Sequence, residues 1–427
     1  MLAPTQMIIE NYSRKIFIYF LYAIAFTLPL VRPNWYGILL GVFVVSWMFT
    51  QKPSEFFPEI RNHKIIFLFW GVFFVDLVGL LYTENMSYGI SYLATKAPLV
   101  ILPLIVLSSS SQLSTHVIRN TCVAFVAGVI TLNLASLAFI SYDLWDPERL
   151  EANLIIANNS IVKIHPVFLS QFIAFGFFFI VDTYFPLSKT NRNQLGWVLF
   201  SCIVLLVYLM WLNSRIGIAG FVLASIFYIL YAIRKNHRFS AFAGLTIFIF
   251  LLLFIPFSRE RFIVTPLQVL THPYAVDVAN YNTRTLYFRE DIYSCCIALV
   301  NGPRFFYGYG TGDFKDVLQD CYAGKNYTSL LERNLDSHCE YFAQLHRNGI
   351  IGLLAFLALL LVPFYYSLRY YSPVLGVFMI LFGVTALFEN IMSSQKGVTF
   401  FSLFCPLLLL YARSTGQHKP LDLSKLQ

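Results

Sequence analysis

Trp211-Leu212-Asn213-Ser214-Arg215 is a very short link between two long apolar runs. Arg215 therefore sits at the membrane surface, where a guanidinium can hold a phosphate bidentately while an apolar tail stays in lipid. The helix that begins there adds its own partial positive charge. The structural alternative is an interfacial arginine reaching lipid headgroups. Arg284 and Arg289 fall on a stretch with helical character from Asn282 to Val300. Five residues apart, they do not share one face, so one of them is expected to face solvent. His338 opens Asp336-Ser337-His338-Cys339-Glu340-Tyr341. An imidazole with an ordinary pKa of about 6.5 suits proton removal from a hydroxyl, although a lone interfacial histidine is also a common structural residue. Arg304 and Arg347 are further candidates for phosphate contacts, against a solvated or structural alternative. Asp76 and Lys96 lie at similar depth on consecutive apolar runs. They fit either a buried ion pair or a Lys96 that faces an outward cavity and accepts an anion.

These residues are carried by an unusually apolar chain. Of 427 residues, 58% are hydrophobic and 12% charged, with mean hydropathy +0.66. Soluble domains carry about 25% charged residues, so a soluble, disordered or nucleic-acid-binding protein is excluded. Apolar runs long enough to approach a bilayer's thickness fall near 15–31, 34–50, 65–82, 89–108, 121–142, 166–185, 195–211, 216–233, 240–257, 349–368, 373–388 and 397–412. The expectation is an all-α polytopic membrane protein with about twelve transmembrane helices. With the N-terminus inside, the short outer links keep only Arg32, Arg149, Lys163, Arg215 and Lys396. The inner ends collect Arg14, Lys15, Arg61, Lys64, Arg234, Lys235, Arg238, Arg369 and Arg413, among others. The net charge of +8 is thus a topology signal. The first run lacks a small-residue cleavage site and a second follows just after Arg32-Pro33-Asn34, so it reads as a retained helix.

The expected organisation is nine transmembrane helices over 1–257, one large outer loop containing helices over 258–348, three more transmembrane helices over 349–412, and an inner tail over 413–427. The loop holds nine basic and ten acidic residues and enough aromatic content to be ordered. Its helix from Asn282 leads to a tight turn, Gly308-Tyr309-Gly310-Thr311-Gly312, and a second helix is expected to start near Asp336. Four of the seven cysteines lie here: Cys295, Cys296, Cys321 and Cys339. They fit either disulfides or free thiols packed as small hydrophobes, with Cys321–Cys339 as the pairing to test first. Neither metal-ligand spacing nor a phosphate-binding loop ahead of a helix is present in the sequence.

Three pieces occur in order. They are Asn213-Ser214-Arg215-x-Gly217 opening a span, Asn282-Thr283-Arg284 leading to the Gly-Tyr-Gly-Thr-Gly turn, and Ser337-His338 separated by ten residues from Gly349-Ile350-Ile351-Gly352. With twelve spans and one late outer loop, this resembles the O-antigen ligase/polymerase superfamily, most closely the lipopolysaccharide O-antigen ligases. His165-Pro166 before the sixth run, and Glu389-Asn390 with Gln395-Lys396-Gly397 before the twelfth, are weaker matches. The resemblance implies an inverting, metal-independent glycosyltransferase of the GT-C type that needs no cofactor. The donor would be a glycan on undecaprenyl diphosphate and the acceptor a sugar hydroxyl of lipid A–core. Arg215 and Arg284 match the arginines that engage the diphosphate, and His338 the histidine that orients or deprotonates the acceptor. Cys339 stands where the family commonly has Asn. The setting implied is the bacterial inner membrane, with both termini cytoplasmic and the site periplasmic. A polymerase extending another lipid-linked glycan shares donor and chemistry, but a single loop carrying both Arg284 and His338 favours the ligase. A protein-glycosylating relative would be longer at the C-terminus. A transporter would show inverted repeats and broken helices near the midplane.

Overall fold

The computed structural model describes residues 4–50, 53–139, 161–184, 192–267 and 281–416. Among them there is no strand. The helices that matter below are α1 (Pro4–Leu30), α2 (Pro33–Met48), α3 (Pro53–Asn62), α4 (Ile66–Gly79), α5 (Met86–Lys96), α6 (Pro98–Ser108), α7 (Thr115–Phe139), α8 (Pro166–Tyr184), α9 (Arg192–Leu212), α10 (Arg215–Tyr231), α11 (Lys235–Phe254), α12 (Tyr281–Ala298), α13 (Phe314–Gly324), α14 (Glu340–Arg369), α15 (Pro373–Ala386) and α16 (Gln395–Thr415).

Among the described residues, eight helical stretches are long and apolar enough to cross a membrane, or nine when the pair around the 90° bend between α3 and α4 counts as one. The runs expected at 34–50, 216–233 and 373–388 fall on shorter helices, α2, α10 and α15, of 16, 17 and 14 residues. Lipid tails are as apolar as the side chains, so hydrophobicity does not drive helices together inside a bilayer; close packing does. The phenylalanines supply it. Phe125 of α7, Phe172 and Phe175 of α8, Phe378 of α15 and Phe400 and Phe404 of α16 interlock, with the Phe172–Phe400 centroids 4.5 Å apart and Phe125–Phe404 4.8 Å apart. Helix α16 runs through the middle of this core and is the most enclosed of the long helices.

One end of the bundle is organised around a break in α14, where Asn348 and Gly349 leave the helical conformation and Gly349 takes φ +64°. The break frees the carbonyls of His346 and Arg347. The Gly-rich turn takes them: the Tyr309 N–H donates to His346 O (2.7 Å) and the Gly310 N–H to Arg347 O (3.0 Å). A side chain at Gly308 (φ +77°) would strike the backbone of Arg347, and one at Gly349 the backbone of Phe306. Glycine is required at both places because the two backbones touch. Asp76 of α4 fixes the junction. It pairs with Lys96 Nζ at 2.6 Å through Oδ2, both side chains fully buried, and accepts from Asn348 Nδ2 at 2.7 Å through Oδ1. Its own carbonyl accepts from Thr311 Oγ1 at 2.7 Å. Lys96 is therefore the partner of Asp76, and it does not face an anion-accepting cavity.

The described part of the 258–348 segment has a small core of its own around Ile292, Phe314, Leu318, Tyr322 and Leu330. A disulfide joins Cys295 on α12 to Cys321 on α13, with Cα atoms 5.9 Å apart. That corrects the Cys321–Cys339 pairing: Cys339 sits just before α14, buried and unbridged, as is Cys296. The second helix also begins later than expected, at Glu340, because 336–339 form an irregular connection with a bend at His338.

Replacing Lys96 by Met leaves Asp76 charged and buried without its cation. A loss of about 3–5 kcal/mol is expected. It should appear as a lower thermal-aggregation midpoint of the detergent-solubilised protein; an unchanged midpoint would contradict a stabilising pair.

Candidate functional site

Arg215 is positioned by three local devices. Asn213 takes φ +49° and turns the chain, the Ser214 hydroxyl accepts from the Gly217 N–H at 3.2 Å to cap α10, and Gly217 lies so close to Ser170 that any side chain there would clash. The arginine is thereby the first residue of a capped helix pressed against α8. Its Nε donates to the Arg261 carbonyl at 3.1 Å. Arg261 itself comes from a π-helical turn, Glu260–Val264, that follows α11.

Facing this corner is the connection that carries His338. Asn390, on the link between α15 and α16, accepts from Ser337 Oγ (3.0 Å) and from the Cys339 N–H (2.9 Å). In return Glu340 accepts from the Met392 N–H at 2.9 Å. Clamped on both sides, His338 adopts φ +45° and brings Nδ1 to 3.3 Å from Glu389 Oε2. A carboxylate only accepts, so the neutral ring carries its proton on Nδ1 and leaves Nε2 with a lone pair. His165 Nδ1 lies 4.0 Å from the other oxygen of Glu389. Cys339 itself is held there through its backbone N–H rather than its side chain.

One cavity of about 220 Å³ joins these parts, lined by Arg215, Arg261, Arg289, Arg333, His165, His338 and Glu389 among others. Arg289 lies over the Phe388 ring at 5.3 Å and Arg333 over Phe288 at 5.6 Å. Four arginines against one carboxylate give the cavity a strong excess of positive charge, which suits an anion. Partial burial disfavours a charged His338, but the hydrogen bond and the charge of Glu389 outweigh it and hold the imidazole above its ordinary pKa. Burial likewise disfavours a charged Glu389, yet its bond to His338 and the nearby histidines and Arg289 hold it below the ordinary carboxylate value.

Of the residues singled out from the sequence, the structure thus brings Arg215, Arg289 and His338 together. Arg284 lies on the first turn of α12, one and a half turns before Arg289; its side chain is outside the described residues. Arg304 and Arg347 do not line this cavity. Arg347 is fully buried, donating to Tyr92 OH at 2.9 Å and stacked 4.0 Å over that ring. Arg304 donates to Gly308 O at 3.2 Å and packs over Tyr307 and Tyr309, so both brace the Gly-rich turn and the break in α14. Lys96 is engaged with Asp76, as above. Arg261 and Arg333 were visible in sequence only as loop cations. His165 and Glu389 stood in the two weaker motifs.

Residues 200–357 match a family model described as O-antigen ligase. Over that stretch the chain is similar to the O-antigen ligase family. Members of that family are glycosyltransferase-like enzymes of O-antigen processing, and the apolar helices make this a multi-pass membrane protein. The matched stretch runs from within α9 into α14 and includes Arg215, Arg284 and His338. No curated protein matches the chain.

The His338–Glu389 pair has a defined pH signature. His338, raised, contributes stability that is complete below the unfolded imidazole value and is lost as pH rises through its raised folded value. Glu389, lowered, contributes stability that is complete above the unfolded carboxylate value and is lost as pH falls through its lowered folded value. The pair stabilises most between the two unfolded values, roughly pH 4.3 to 6.5. In Glu389→Gln the apparent pKa of His338 should fall, read from the pH dependence of its modification by diethylpyrocarbonate and peptide mass. A titration identical to wild type would refute the pair.

Proposed function

We propose that the protein transfers a glycan from undecaprenyl diphosphate to a sugar hydroxyl of lipid A–core, with inversion and without a metal. The observation that carries this reading is the arrangement of four arginines across one cavity from a histidine whose Nδ1 is committed to a carboxylate. His338 Nε2 takes the proton of the acceptor hydroxyl as its oxygen attacks the anomeric carbon. The bond from that carbon to the diphosphate oxygen breaks on the opposite face, which inverts the centre. Negative charge accumulates on the departing undecaprenyl diphosphate, where fixed guanidinium groups stabilise it as it develops. Glu389 stabilises the imidazolium that forms and keeps the ring oriented. In this reading Arg215 and Arg284 hold the diphosphate, Arg289 adds a third cation, and Arg261 and Arg333 complete the wall. The prenyl tail lies against apolar helices, and the site faces the periplasm.

The test is an in vitro transfer reaction with prenyl-diphosphate glycan and purified lipid A–core in the presence of EDTA. Wild type should transfer. His338→Ala should lose on the order of 10²–10⁴ in rate, the usual contribution of general acid–base catalysis. Arg215→Ala should lose roughly 10²–10³, as when one transition-state charge contact is removed. A wild type that ignores lipid A–core but lengthens the prenyl-linked glycan is a polymerase, and the ligase reading is then discarded.

A further inference from the structure

A second polar cavity lies at the far end of the bundle. Helix α14 leaves the transfer site at its break and reaches Tyr366 seventeen residues beyond Gly349, roughly 26 Å away at 1.5 Å per residue. That is close to the ~30 Å thickness of a bilayer's hydrocarbon core. There, His63, Lys64, Tyr366, Tyr370, Leu410 and Arg413 help to line a cavity of about 250 Å³ where α3, α4, α6, α14 and α16 meet. No acidic residue lines it. Neither Lys64 nor Arg413 has an ion-pair partner among the described residues. Glu59, the nearest carboxylate in sequence, accepts instead from Ser110 Oγ (3.5 Å), which also contacts His63 Nε2 at 3.0 Å.

The surroundings point to lipid. The 90° bend turns α3 away from the direction of α4, so that it lies across the end of the bundle. It carries Phe57, 72% exposed, beside Phe56, which packs on Phe57 and Trp47. A short helix lying flat with exposed aromatics belongs in the headgroup region of a bilayer. Tyr366 and Tyr370 stack at 5.6 Å along one wall, placing amphipathic rings at the same level. The two cations therefore open toward headgroups, at the end of the protein where Arg61, Arg369 and Arg413 are all exposed.

We propose that this cavity binds the phosphate of an anionic phospholipid in the leaflet opposite the transfer site, held by Lys64 and Arg413 and flanked by the two tyrosines. In the positive-inside orientation that leaflet is the cytoplasmic one. His63 supports the electrostatics: burial, and after it the charge of Arg413, holds its imidazole below the ordinary value, so the guanidinium's field acts within the pocket. The inference is independent of which glycan the opposite face transfers.

The test uses the full chain in neutral detergent, titrated with phosphatidylglycerol, phosphatidylcholine or glycerol 3-phosphate while the thermal midpoint is followed. Phosphatidylglycerol should raise the midpoint saturably. The other two should not. The double variant Lys64→Gln/Arg413→Gln should bind phosphatidylglycerol at least roughly tenfold more weakly, as expected when two charged contacts are lost. A second double variant, Arg61→Gln/Arg369→Gln, removes exposed cations that do not line the cavity and should titrate like wild type. The proposal is overturned if the first double variant titrates like wild type, or if the second weakens binding equally, which would mean diffuse surface charge. An equal shift with glycerol 3-phosphate overturns it in favour of a soluble phosphate ligand, and one with phosphatidylcholine in favour of general lipid solvation.

Discussion

A single buried carboxylate on a membrane-type helix sets the terms for the half of this protein that carries the site. The Asp76 side chain is fully buried, so its lone pairs must be matched or the charge is costly. Lys96 meets one oxygen and Asn348 the other. Asn348 can do so only because α14 is broken at that residue, which turns its amide back toward α4. The break in turn exposes two carbonyls in a region where lone carbonyls are costly, and the N–H groups of Tyr309 and Gly310 meet them. One ionised group thus ties two consecutive helices, a helix break and a loop turn into a single unit. Arg304 and Arg347 belong to the same unit, which explains why neither reaches the cavity.

The cavity depends on that unit at one remove. It concentrates cations that repel one another, so they cannot gather without strong anchors. Each arginine comes from a separate element: a capped helix start for Arg215, a π-turn for Arg261, α12 for Arg289 and the link ahead of His338 for Arg333. The disulfide from Cys295 to Cys321 holds α12 to α13, and Phe314 of α13 stacks on His346 of α14 at 5.1 Å. Rigid supports of this kind keep charges in place without an anion present, which is the condition for stabilising charge that appears only as a bond breaks.

On the opposite wall, rigidity comes from reciprocal hydrogen bonds. Asn390 grips the chain on both sides of His338, and Glu340 grips the link that carries Asn390. A non-glycine residue at φ +45° is uncommon, and here it is enforced from outside. The result is a histidine that lines the cavity with Nδ1 engaged and Nε2 without a partner among the described residues.

The sequence by itself determined the membrane character of the chain and its helical class, since these follow from composition and apolar run lengths; it left Lys96 open between an ion pair with Asp76 and an anion site, and the tertiary structure decided for the pair. It also singled out Arg215 and His338 through Asn-Ser-Arg-x-Gly and Asp-Ser-His; the geometry of Arg215 is set within a few residues, while that of His338 is set by Glu389 and Asn390, about fifty residues away. Only the tertiary structure decided which other residues join them. His165, Arg261, Arg333 and Glu389 come from separate elements between residues 165 and 389, and no local spacing records that they converge. Local spacing likewise does not show that Cys321 meets Cys295 rather than Cys339, or that Arg347 is consumed by Tyr92. Such choices are made by which faces pack together, and packing faces are a property of the whole bundle.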